Sequence, residues 1–89
     1  MRSIHVVYKG RVQGVGFRFT VGRIAKRFDM TGFVKNVPDG TVEVRAEGPT
    51  DQVESFIADV NESMEGYIRQ SVVEEESYTG KFPDFRIEM

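Results

Sequence analysis

The chain predicts an α+β domain in which two helices cover one face of an antiparallel sheet. Three observations carry that expectation. Two segments place their apolar residues on a single helical stripe, the segments around them alternate with period two, and the order of the two kinds is β-α-β-β-α-β with a terminal strand. Eighty-nine residues, 39% hydrophobic and 29% charged, provide for one globular core, so residues 1–89 are expected to form a single domain.

The elements follow in order. Ile4, Val6 and Tyr8 alternate with His5, Val7 and Lys9, a first strand with two partly buried faces. A glycine-rich connection runs from Gly10 to Gly16. Phe17, Val21, Ile24, Ala25 and Phe28 then fall on one face of a helix, and Gly22 inside it implies close packing on the sheet. Gly32 to Val37 and Thr41 to Glu47 are strands joined by Pro38-Asp39-Gly40, where proline presets φ and glycine accepts a positive one. Thr50 is the expected N-cap of a second helix carrying Val53, Phe56, Ile57, Val60 and Met64 on one stripe. A fourth strand lies within Ile68 to Tyr78, and Phe85, Ile87 and Met89 alternate in a fifth.

Composition narrows the chemistry. The absence of cysteine excludes disulfides and thiolate metal sites, and a single histidine argues against a zinc site. No aliphatic run reaches the length of a signal peptide or a membrane span, so a soluble, cytoplasmic chain is expected. The net charge of −2 conceals a split. Residues 1–28 carry seven basic side chains and no acidic one, whereas residues 29–89 carry five basic and fourteen acidic. Such a split suggests an anion-binding half. Arg23, Lys26 and Arg27 read as a solvated helix face, which leaves Arg11 and Arg18 as the informative pair. Glu74-Glu75-Glu76 reads as a solvated stretch protecting a sheet edge, and His5 as a partly exposed strand residue without a partner.

The loop is the centre of the functional reading. Glycines let successive N–H groups turn inward toward an anion, and the helix that follows adds unpaired donors and positive partial charge. Arg18 stands in the first turn of that helix, where the dipole disfavours a cation, and no acidic residue precedes Asp29. A phosphate between loop amides and guanidinium would compensate. Asn36 ends a strand-forming segment, although asparagine is depleted in strands. It either starts the turn before Pro38 or offers an amide that donates to and accepts from a water.

Gly10-Arg11-Val12-Gln13-Gly14-Val15-Gly16-Phe17-Arg18 resembles the signature loop of the acylphosphatases, and Gly32-Phe33-Val34-Lys35-Asn36 resembles their second motif. Pro38 to Glu43 and Glu47-Gly48 are similar to the family's hairpin. The likeness is dense from Val7 to Gly48 and weaker beyond Pro49; where Gly16 stands, the family often carries a bulkier residue. The resemblance implies a ferredoxin-like sandwich with a five-stranded sheet. It implies hydrolysis of the carboxyl–phosphate bond of small acyl phosphates, with inorganic phosphate as product or competing ligand. In it the amides of Arg11, Val12, Gln13, Gly14, Val15 and Gly16, with the Arg18 side chain, bind the phosphoryl group. Asn36 orients the attacking water, and Thr41 supports the region. No metal, cofactor, nucleic acid or membrane is called for, and a monomer is expected.

Two rival readings share this pattern. RNA-recognition modules have the same element order, but they place aromatic residues on the third strand, and Thr41 to Glu47 has none. A non-catalytic phosphate sensor could use the same loop; the short, cysteine-free chain favours a free enzyme.

Overall fold

The computed structural model describes residues 1–89. Its elements run β1 (Arg2–Gly10), α1 (Phe17–Ala25), β2 (Thr31–Asn36), β3 (Val42–Gly48), α2 (Thr50–Ser63), β4 (Ile68–Glu76) and β5 (Phe85–Glu88). The strands form one sheet in the order β4-β1-β3-β2-β5, which is the five-stranded ferredoxin-like arrangement expected. β1 pairs antiparallel with both β3 and β4, and β2 pairs antiparallel with β3. The sheet is antiparallel except at one edge, where β5 runs parallel to β2. The reason is where the chain crosses. β4 ends with Glu76 beside Ser3, and β5 begins with Phe85 beside Gly32, both at the end of the sheet where β1 starts. The connection therefore traverses that end and re-enters with its direction reversed.

One face of the sheet holds the core. Ile4, Val6 and Tyr8 of β1, Val34 of β2, and Val42, Val44 and Ala46 of β3 meet Phe17, Val21 and Ile24 of α1 and Val53, Phe56 and Val60 of α2. Period two on the strands and 3.6 on the helices make these rows coincide. Gly22 is buried against the last strand: a Cβ there would stand 2.5 Å from Ile87 Cδ1, so close helix–sheet packing accounts for it. α1 ends at Ala25, which leaves Phe28 just beyond it, partly buried against the core. The expected cap at Thr50 is displaced by one residue. Pro49 occupies the cap with φ −57° and ψ 140°, a conformation its ring favours, and Thr50 begins the helix.

Residues 77–84, between β4 and β5, lie across the opposite face. Phe82 packs on Phe33 with ring centroids 5.8 Å apart, and the Arg45 guanidinium lies over the same ring. Glu47, 1% exposed, anchors this strap. Its carboxylate accepts from Ser3 Oγ at 2.9 Å, Gly80 N at 3.0 Å and the Thr79 hydroxyl at 3.0 Å, and pairs with Arg45 at 3.4 Å. Burial pushes the Glu47 carboxyl up, but the bonds from Ser3, Gly80 and Thr79 together outweigh it and hold the group below the usual 4.5. A depressed carboxyl contributes stability that is complete above its unfolded-state pKa and is lost as pH falls through the folded one. Glu47→Gln is therefore expected to lower the melting temperature at pH 7 by about 5–15 °C, from a loss of roughly 1–3 kcal/mol. The gap to wild type should narrow below pH about 4.5. Thermal unfolding from pH 3 to 7 checks it; a gap that does not vary with pH would show that charge is not what matters there.

His5, expected to lack a partner, has two. Its Nε2 lies 2.6 Å from Glu43, which also binds Lys35 at 3.3 Å, and its Nδ1 lies 3.9 Å from Glu74. Register explains what the sequence hides: His5 stands opposite Arg45 on one neighbour and Glu74 on the other, so carboxylates far apart in sequence converge on it.

Candidate active site

The site begins with how the chain leaves β1. Arg11 N donates to Tyr67 O at 2.9 Å, the last backbone bond before the loop. From Val12 to Gly16 no amide donates to a backbone carbonyl. Gly14 and Gly16 take φ of 77° and 76°, the left-handed region that glycine enters without strain. A Cβ at either would meet nothing within 4 Å, so open space lies beside the loop. Gly16 caps α1 without a side-chain bond, and the first turn holds no acidic residue, so the donors of the helix N-terminus are free as well.

Gln13 fixes this loop in place. Its side-chain amide donates at 2.8 Å to both Val37 O and Thr41 O, across the β2–β3 turn. Thr41 thus contributes through its carbonyl, while its hydroxyl donates to Asp39 at 2.6 Å. That hydroxyl bond, with the Thr41 amide bond to the same carboxylate, holds the Asp39 carboxyl below its ordinary value. Both carbonyls that Gln13 reaches also accept backbone amides, so Gln13→Ala orphans neither. Gln13→Glu, by contrast, aims a carboxylate at two carbonyl oxygens. We expect Gln13→Glu to lower kcat/KM by about 10- to 100-fold through loop displacement, with a smaller loss in Gln13→Ala. Steady-state kinetics on both folded variants decide it; equal, less than twofold losses would remove Gln13 from loop positioning.

A cleft of about 180 Å³ opens beside the loop, lined by Val12, Gly14, Gly16, Phe17, Arg18, Phe19 and Asn36. Arg18, Asn36 and half of the loop residues singled out in the sequence therefore converge. Arg11 is exposed and does not line the cleft; neither do Gln13, which acts behind the loop, and Val15. Arg18 is half-buried, and its Nη1 donates to Glu88 O at 2.9 Å with Met89 Sδ 3.6 Å away. That tether to residues 88 and 89 engages Nη1 and leaves the donors of Nε and Nη2 unused. Sequence reasoning could not anticipate it, because a backbone carbonyl carries no residue signature.

Asn36 extends the core-facing row of β2 past Val34 to the cleft. Its Oδ1 is buried and has no hydrogen-bond partner in the protein, a property shared only by the Tyr8 hydroxyl. Tyr8 lies in the core with its ring 5.3 Å from that of Phe17, and burial pushes its phenol up, so it stays neutral. Arg18 is the one charged side chain lining the cleft, and no carboxylate or histidine borders it. The arrangement can bind a compact anion through fixed dipoles and one guanidinium, beside the side-chain amide of Asn36. Phe17 and Phe19 were not anticipated in the lining. Phe19 had a signal: it is an apolar residue off the buried stripe, and it is 64% exposed.

Comparison with known proteins agrees with this geometry. Residues 4–87 match the acylphosphatase family model. An acylphosphatase of Syntrophus aciditrophicus (strain SB) is 42% identical over 88 residues, covering 98% of this chain and 92% of that one. The crystal structure of acylphosphatase from Bacillus subtilis superposes with a TM-score of 0.89 at 33% identity over the whole of both chains. The structure of T. kodakarensis HypF also contains a similar unit, with a TM-score of 0.84 at 32% identity, although this chain spans only 12% of that protein. With the loop, the cleft and the fold in agreement, the chain belongs to the acylphosphatase family, hydrolases that act on acyl phosphates.

Proposed function

We propose that the chain hydrolyses small acyl phosphates by in-line attack of a water on phosphorus, with every catalytic group supplied by the cleft. The observation that carries this reading is the convergence on one cleft of Arg18, the loop residues Val12, Gly14 and Gly16, and Asn36, whose Oδ1 has no hydrogen-bond partner in the protein. The loop amides and the Arg18 fork hold the phosphoryl group and stabilise charge on its equatorial oxygens. Asn36 accepts a hydrogen bond from the water and aims its lone pair at phosphorus. The new P–O bond forms as the bond to the carboxyl oxygen breaks, and that electron pair leaves with the carboxylate. The water's proton passes to a phosphoryl oxygen. Carboxylic acids have pKa values of about 4, so the leaving group departs without an acid, consistent with a cleft bordered by no titratable side chain but Arg18.

In this reading the domain works as a monomeric cytoplasmic enzyme. No helix is long and apolar enough to cross a membrane. Inorganic phosphate, the product, competes for the loop. The test is hydrolysis of a synthetic aryl acyl phosphate with EDTA present. Sustained turnover inhibited by phosphate is expected. Phosphate binding by a folded chain that turns over nothing would replace the catalytic reading with a sensing one.

A further inference from the structure

The phosphoryl cleft does not end at Phe19. This side chain also lines a second, open groove of about 410 Å³ between α1 and β5, with Gly22, Arg23, Lys26, Phe85 and Ile87. Phe19, Arg23 and Lys26 stand at i, i+4 and i+7, one stripe of α1 continued by its C-cap Lys26. The floor is apolar, formed by Phe85 and Ile87, which alternate inward from β5. The rim is cationic, and no carboxylate lines it, since Glu88 borders a different depression beyond Phe33 and Phe82. Arg27 of the basic helix face is paired with Asp59 at 3.4 Å, as a solvated residue would be. Arg23 and Lys26 have no ion-pair partner. An exposed phenyl ring shared by two cavities, followed by an apolar floor and two free cations, is a graded surface that leads away from the scissile bond.

We propose that this groove is the acyl-group subsite, and that it favours acyl phosphates whose acyl part is an unbranched apolar chain ending in a second carboxylate, the monophosphates of dicarboxylic acids. The inference rests on the phosphoryl reading above. The phosphoryl group occupies the loop, methylenes pass over Phe19 and Ile87, and the distal carboxylate meets Arg23 and Lys26. Helical rise places these cations roughly 6 and 10 Å along the axis from Phe19, which fits a chain of about six carbons better than an acetyl group. Polar–apolar grading of this kind fixes orientation in small-molecule sites.

The experiment compares kcat/KM for acetyl phosphate, hexanoyl phosphate, adipic acid monophosphate and its methyl ester in wild type, Phe19→Ala and the double variant R23Q/K26Q. Wild type should prefer the free adipic acid monophosphate over its ester by about three- to tenfold, and hexanoyl over acetyl phosphate by a similar factor. The double variant should bring the acid-to-ester ratio below about twofold, and Phe19→Ala should do the same to the hexanoyl-to-acetyl ratio. Because each readout is a ratio within one protein, a general loss of stability cancels, and repeating the acid-to-ester ratio at high salt removes long-range steering. Hydrolysis of acetyl phosphate with both ratios near unity in wild type would overturn the subsite while leaving the phosphoryl chemistry intact. Failure to hydrolyse any of the four would overturn both.

Discussion

Arg18→Ala is expected to lower kcat/KM for an acyl phosphate by roughly 10²- to 10⁴-fold, chiefly through loss of phosphoryl binding. Charge-assisted hydrogen bonds contribute about 1.5–3 kcal/mol each, and a guanidinium fork offers two of them to adjacent phosphoryl oxygens. Arg18 is the only cation lining the cleft, so nothing else there takes its place. Arg18→Lys keeps the charge without the planar pair of donors and should fall between wild type and alanine. Stability separates this role from a structural one. Arg18 stands at the positive end of α1 with no acidic neighbour in the first turn, an arrangement that costs about 0.3–1 kcal/mol. Its bond to Glu88 O is solvent-exposed, which reduces its strength to a similar amount. The two offset, so the melting temperature of Arg18→Ala should stay within about 4 °C of wild type. Phosphate should raise the wild-type melting temperature and leave that of Arg18→Ala unchanged, since only a ligand that binds the folded state protects it. An alanine variant still protected by phosphate would place the anion's main contact elsewhere.

What the sequence disclosed of the fold was whatever periodicity and turn chemistry encode. The stripes of α1 and α2, the alternation of β1 to β3 and the Pro38-Asp39-Gly40 turn each rest on local physics, and each lies within a residue or two of its expected place except the end of α1, which stops three residues before Phe28. What escaped was long-range. The parallel edge at β5 follows from the route of residues 77–84, and that route is held by Glu47, whose partners Ser3, Thr79 and Gly80 lie more than thirty residues away on either side. His5 looked solitary because its carboxylates arrive from β3 and β4 through register alone. At the site, the loop and Arg18 were legible because they violate stability preferences: unpaired amides, and a cation at a helix N-terminus. Gln13 was expected only as a loop amide, and neither its side-chain clamp nor the place of Phe19 at the cleft was legible, since a bond onto backbone carbonyls depends on where the chain folds.

The same conflict between stability and function gives Asn36→Ala its expected result. Asn36 Oδ1 is buried without a partner, which costs about 1–3 kcal/mol in the folded protein, and asparagine is a poor strand residue besides. Removing the amide should therefore leave the melting temperature unchanged or raise it, by up to roughly 4–8 °C for each kcal/mol recovered. Turnover should move the other way. If Asn36 aims the water, its loss leaves phosphoryl binding by the loop and Arg18 intact, so kcat falls by about 10²- to 10³-fold, the usual loss for one preorganised polar group. KM and phosphate inhibition should change by less than about threefold, because ground-state binding is untouched. Asn36→Asp completes the test. It keeps the shape and an acceptor oxygen, but it sets a negative charge beside the phosphoryl group, where like charges repel. That variant should weaken phosphate binding as well as turnover, most strongly above the carboxylate's pKa, and recover part of the binding as pH is lowered. A kcat loss in Asn36→Ala below tenfold, or a matching loss of phosphate affinity, would move Asn36 from orienting the water to holding the anion.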